Sequence, residues 1–308
     1  MGTGSSRRMI MFDRFVGIDW SGAKGPRQRG IQLSLARPGR AAPERVDALD
    51  GRAWGRDTVF DWLLQAVAPD ADAGGSMLVG IDFAFAHPFA DSNAYYPGLA
   101  NAPDCPAALW QTIDIICAAD PHFYGGAVFA DPSYGDYYLS PGRYDAPLYR
   151  SRRRQTEHAA KAGARSPSPT FKAVGADNVA TGSMAGMRLL HALKQALGQK
   201  VAIWPFDQVV PSHPPALVLV EIFPTWYFHA VRMNPAKNAA ADPHFMSAAL
   251  AAWDSDGVGP GYAPRGADAD EADAMIAAAA LRRIASRADG WQVPGPAAQE
   301  GWIFGVPA

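Results

Sequence analysis

The sequence predicts an α/β fold: a mixed five-stranded sheet with flanking helices and a long insertion between the fourth and fifth strands. Three observations carry that prediction. Short apolar runs at 15–19, 76–85 and 216–223 read as buried strands, the first two delivering Asp19 and Asp82 and the third holding Glu221 as its only charge. Segments 57–67 and 268–287 carry helical patterning. Between the second and third of those strands lies a stretch at 87–215 with little periodicity.

In chain order, residues 15–19 end in Asp19-Trp20-Ser21-Gly22, a strand that leads its carboxylate into a glycine-containing turn. Residues 30–36 alternate apolar and polar side chains and 44–49 form a weaker run, so the first three strands should make an antiparallel meander. Residues 57–67 set Val59, Phe60, Leu63, Leu64 and Val67 at helical spacing behind Asp57-Thr58, a helix that should pack on the sheet. The text Val-Gly-Ile-Asp at 79–82 repeats that at 16–19. Two strands delivering an acid to one sheet edge explain this as well as an internal repeat does.

Residues 87–215 are rich in Pro, Gly, Tyr and Trp, with helical patches at 107–118 and 183–197 and a strand-like run at 201–206. Such a segment reads as a functional insertion within one domain spanning 1–308, whose core segments are about 12–86 and 216–290. In the fifth strand, Glu221 is costly unless paired or bound to metal. Residues 268–287 form an Ala-rich helix with acids first and Arg282, Arg283 and Arg287 last, matching the helix dipole. The tail after Gly290 reads as loop.

With 308 residues, 48% hydrophobic and 19% charged, the chain can bury a full core, which excludes disorder as its default. Cys105 and Cys117 form no C-x-x-C pair, excluding a disulfide framework and a thiolate zinc site. Residues 1–15 hold too few apolar side chains for a secretory signal and no run is long enough to span a membrane, so a soluble, cytoplasmic protein is expected. Gly2 with Ser6 meets a myristoylation pattern too short to weigh. The net charge of −2 supplies no global field for nucleic acid. Locally, Arg143, Arg150, Arg152, Arg153, Arg154, Lys161 and Arg165 crowd one stretch, a phosphate clamp or a solvated loop on equal terms.

The carboxylates are the sharpest signal. Asp270 and Asp273 share a helix face, continued by Ala274 and Ala277, side chains small enough for close approach to a sheet. Two-metal phosphoryl hydrolysis needs three or four carboxylates converging on ions about 4 Å apart. Plainer explanations exist: first-turn acids such as Asp268, Asp270 and Glu271 stabilise a helix without function, and a strand-end Asp can cap a turn. Asp273, two acid-tipped strands and a buried Glu in a third strand go beyond them. His87, His191, His213, His229 and His244 form no ligand pair, and Trp110, Tyr134, Tyr137, Tyr138 and Tyr149 read as core more readily than as base-stacking platforms.

Ile18-Asp19-Trp20-Ser21-Gly22, Gly80-Ile81-Asp82, Glu221-Ile222-Phe223-Pro224 and Asp270-Glu271-Ala272-Asp273-Ala274 together resemble the motifs of the domain of unknown function 429 family, predicted RNase H-like nucleases. The last motif is also similar to the Asp-x-x-Asp-Ala helix of RuvC-type resolvases, and the order of elements is similar to that of the RNase H-like fold. The resemblance implies a two-metal nuclease using Mg²⁺ or Mn²⁺ on nucleic acid. Asp19 would bridge the ions, Asp82 and Asp273 would complete the metal sites, and Asp270 and Glu221 would assist, Glu221 as ligand or as hydrogen-bonded anchor. Arg152, Arg153, Arg154, Lys172 and Ser183 are the expected substrate contacts. Two other functions stay open: an ATP-dependent phosphotransferase of the actin-like or sugar-kinase type, with the glycine-containing run 175–186 cradling a phosphate, and a non-catalytic module binding a nucleotide or partner.

Overall fold

The computed structural model describes residues 12–68, 75–163, 167–175, 178–209, 215–235, 239–265 and 270–308. One mixed sheet contains β1 (Phe12–Asp19), β2 (Gln32–Ala36), β3 (Glu44–Val46), β4 (Ser76–Ile81), β5 (Val201–Ile203) and β6 (Leu217–Glu221), ordered β3-β2-β1-β4-β6-β5. The expected meander β1-β2-β3 is antiparallel, whereas β4 runs parallel to β1 and β6, and β6 parallel to β5. The sheet thus has six strands, not five. The apolar run inside the insertion adds β5 along β6, pairing backbone groups that an edge strand would leave open.

Alternation along the strands separates two cores. Val16, Ile18, Val79, Ile81 and Leu219 face the side covered by α1 (Arg56–Ala66), α2 (Pro106–Ile116) and α4 (Ala180–Leu197), while α3 (Gln155–Gly163) lies within the insertion. Phe15, Leu78, Val218 and Val220 face the other side, under α5 (Pro224–Ala230), α6 (Pro243–Ala252) and α7 (Asp270–Ala285). There α7 reaches the backbone of the sheet: a Cβ at Gly17 would lie 2.2 Å from the Ala274 carbonyl oxygen, and one at Gly80 2.9 Å from Leu281 Cδ1. Gly17→Ala is accordingly expected to lower stability by about 3 kcal/mol through overpacking, read as a lower urea midpoint with an unchanged m-value.

The tail is not a free loop. Residues 297–300 form α8 (Ala297–Glu300), Trp302, Ile303 and Phe304 are buried, and the Phe304 N–H donates to the Glu221 carbonyl at 2.9 Å. Its helix is a single turn, too short to show a period. The insertion's Trp110, Tyr137 and Tyr138 are buried and Tyr134 and Tyr149 half-buried, so these aromatics pack rather than offer stacking faces. His87 is buried as well, its ring nitrogens 2.8 Å from Thr170 Oγ1 and Tyr138 Oη. Gly2, Ser6, Arg165, His213, Asp268 and residues 176–177 lie outside the described residues. Among those described, no helix is long and apolar enough to cross a membrane, and both cysteines are free thiols.

Candidate active site

Register brings the first two acids together. Gly17 lies opposite Gly80 and Ile18 opposite Ile81 in the parallel pair β1–β4, so Asp19 and Asp82 leave the sheet side by side. Gly17 faces α7, and by alternation Asp19 does too. The first turn of α7 supplies Asp270 and Asp273, both partly exposed. A Cβ at Gly30 would sit 3.4 Å from Asp270 Oδ2 and 3.8 Å from Ser21 Cβ, which sets the Asp270 carboxylate against the turn that follows β1. The third acid of that turn, Glu271, is buried and held apart from the group, accepting the Arg265 N–H at 3.0 Å and lying 3.7 Å from Arg45.

The acids feel one another. Burial first, then the negative charges of Asp273, Asp82 and Asp270, hold the Asp19 carboxyl well above the usual carboxylate range, opposed by the Trp20 N–H that Asp19 Oδ1 accepts at 3.1 Å. Burial, followed by Asp273 and Glu221, raises Asp82 in the same way. Every charge acting in these two shifts is negative. Both groups therefore bind a proton more tightly folded than unfolded. Their contribution favours folding below the unfolded value near 3.9 and is progressively lost as pH rises from there through the folded values. In EDTA at pH 7.5, Asp82→Asn is expected to raise the thermal midpoint by roughly 2–4 °C, the shift that about 1 kcal/mol produces, and to flatten the decline in stability above pH 4.

Glu221 behaves differently. It sits opposite Ile81 and shares that residue's face of the sheet, away from α7. Arg154 binds it through two nitrogens, Nη2 to Oε1 at 2.5 Å and Nη1 to Oε2 at 2.7 Å, and the Phe85 N–H donates to Oε2 at 3.0 Å. Arg154 Nε bonds Glu157 Oε1 at 3.0 Å, and all three side chains are buried. Burial opposes the charged form of Arg154, but Glu221 and Glu157 outweigh it and raise its pKa; burial also pushes Glu157 up to about 7 against the pull of Arg154. Of the two roles expected for Glu221, the anchor is the one its contacts fit.

The expected substrate contacts divide. Arg152 donates to Asp91 and to the carbonyls of Pro88, Ala94 and Tyr95, and all three guanidinium nitrogens of Arg154 are bonded internally. These contacts tie both arginines into the insertion, while Arg152 also borders a small cavity with Tyr137 and Phe171 and Arg154 borders the larger one beside Asp82. Arg153 bonds the Pro167 carbonyl, Lys172 is half-buried, and the buried Ser183 accepts the Ala84 N–H at 3.3 Å. A cavity of about 520 Å³ opens beside Asp82, bounded by Trp20, Phe83, Asn178, Gly182 and Glu221. One supporting acid had no signal in the sequence: the buried Glu300 accepts the N–H groups of Phe89, Ala90 and Gln155 at 2.7–2.8 Å, across separations visible only after folding.

Among the described residues, no three His, Cys, Asp or Glu side chains are arranged to hold a metal ion as they stand. The donor chemistry of Asp19, Asp82, Asp270 and Asp273 nevertheless suits a hard divalent cation, since all are carboxylates and the first two carry unfavourable negative fields that a cation would relieve. Comparison with known proteins returns no matching family model, curated protein or solved structure.

Proposed function

We propose that this chain is a Mg²⁺- or Mn²⁺-dependent phosphodiester hydrolase on an RNase H-like fold, acting on nucleic acid. The observation that carries the reading is the meeting of Asp19, Asp82 and the first turn of α7 at one sheet edge, with the Asp19 and Asp82 carboxyls raised by burial and then by neighbouring negative charge. The antiparallel β1-β2-β3 meander followed by strands parallel to β1 supports the fold assignment.

Asp19, Asp82 and Asp273 would hold the metal, with Asp270 beside them. A bound divalent ion supplies Lewis acidity, activating water and stabilising the leaving oxygen. The chain's own work is positional. β1 and β4 present two carboxylates in register, the glycine contacts of α7 fix the depth of Asp270 and Asp273, and the Arg154–Glu221 pair locks the end of β6 to the insertion. The phosphotransferase reading has less support, because Gly22 after β1 has a packing reason of its own, a Cβ there lying 2.3 Å from Gly182 N.

The test is isothermal titration of Mg²⁺ and Mn²⁺ into the protein and its Asp19→Asn and Asp273→Asn variants, beside Mn²⁺-dependent hydrolysis of bis(p-nitrophenyl) phosphate. Binding and hydrolysis in the parent, both lost in the variants, are expected. Neither in the parent would overturn the proposal.

A further inference from the structure

A second cavity, of about 540 Å³, lies on the β2–β3 side of the carboxylate edge, bounded by Arg29, Gln32, Asp47, Arg52, Trp54 and Arg265. It adjoins the candidate active site at two points. Gln32 is the register partner of Asp19 across β1 and β2. Gly30, next in the chain to Arg29, is the position whose Cβ would come within 3.4 Å of Asp270 Oδ2.

The wall of this cavity is basic. Arg29, Arg52 and Arg265 are all exposed, and among the described residues no carboxylate is bonded to the guanidinium of Arg29 or Arg52. Arg265 pairs with Asp47 at 3.5 Å, but that carboxylate is held more closely by Arg45, at 2.9 Å. Three arginines thus converge on one concave surface with a single, already shared, acid among them. In a chain of net charge −2 this is a local feature, set directly against the edge that carries Asp19 and Asp270. Such a pairing of fields suits a polyanion that places one phosphate at a metal-holding edge and its neighbours against arginines.

We infer that this arginine cavity binds the phosphates flanking the scissile bond of a nucleic-acid strand, with Arg29, Arg52 and Arg265 as the contacts. The inference rests on the hydrolase reading for its geometry but is tested apart from it. Binding of a short labelled duplex oligonucleotide is measured by fluorescence anisotropy in EDTA, from about 50 to 200 mM salt, so that neither metal nor cleavage is needed. The Arg29→Gln/Arg52→Gln/Arg265→Gln variant is expected to bind at least about tenfold more weakly and to lose about 2–3 from the slope of log K against log salt, near 0.9 for each phosphate contact removed. Arg287→Gln, which alters an exposed arginine paired with Asp289 beyond the far end of α7, should leave both unchanged.

No binding by the parent, or equal affinity and slope in the triple variant, overturns the inference. So does inorganic polyphosphate displacing the oligonucleotide equally well at equal phosphate concentration, which would mark a site for free polyanions. Oligonucleotide binding through these arginines without hydrolysis of bis(p-nitrophenyl) phosphate would sink the hydrolase reading alone. Hydrolysis with binding unaffected in the triple variant would sink only the arginine assignment.

Discussion

Asp19→Asn is expected to reduce Mn²⁺-dependent phosphodiester hydrolysis on the order of 10³-fold, equivalent to about 4 kcal/mol of transition-state stabilisation at 1.36 kcal/mol per tenfold. Asp19 is the position on which the other three aspartates act together: after burial, Asp273, Asp82 and Asp270 all raise its pKa. An amide in its place keeps an oxygen able to accept the Trp20 N–H but removes the charge through which the group would attract a cation. The same change relieves repulsion, so the metal-free variant should unfold at the parent's temperature or above it. Loss of activity with retained stability separates this result from misfolding. A variant as active as the parent, measured as initial rate across Mn²⁺ concentrations, would sink the metal-centre reading.

Arg154→Ala is expected to destabilise the protein by about 3–5 kcal/mol, the range for removing one partner of a buried ion pair. Glu221 and Glu157 are both buried and both bond Arg154, so its loss strands two carboxylates in the interior. Buried charges without a partner are strongly destabilising. The parent already holds Glu157 up at about 7, above its unfolded value near 4.3, so this group's contribution is present at low pH and lost as pH rises through about 7. Without Arg154 the pull that holds Glu157 down is gone, so its carboxyl should shift further upward and the penalty should be largest at pH 8 and smallest near pH 5. Urea denaturation at the two pH values measures this. Glu221→Gln in the Arg154→Ala background should recover part of the loss, since an amide needs no counter-charge, and a double-mutant cycle isolates the pair. Equal losses at both pH values, with no recovery, would mean that Arg154 acts by packing alone.

Much of the architecture is legible in the sequence because it depends on local patterns. The apolar runs ending at Asp19 and Asp82 and the run holding Glu221 are β1, β4 and β6, and the alternation at 30–36 is β2. The helices at 56–66, 106–116, 180–197 and 270–285 fall within a few residues of their periodic segments. Short helices escaped: α5 begins at a proline and is crowded with aromatics, and α8 is a single turn. That Glu221 required a partner was also legible, from the cost of a charge in an apolar strand. Which partner was not, since Arg154 is remote in sequence and stands there in an arginine-rich stretch that reads as a phosphate clamp or a solvated loop.

The sequence by itself determined that acids stand at the ends of two strands and at the start of a helix, because hydrophobic period and helix-end chemistry are written into neighbouring residues. Only the tertiary structure decided which acids share a site. In a sheet of period two, a side chain's face depends on strand register, and register is set by long-range pairing. Gly17 opposite Gly80 brings Asp19 and Asp82 out together, whereas Glu221, opposite Ile81, borders the cavity beside Asp82 with its carboxylate held by Arg154. The same pairing, Gln32 opposite Asp19, sets the arginine cavity against the carboxylates.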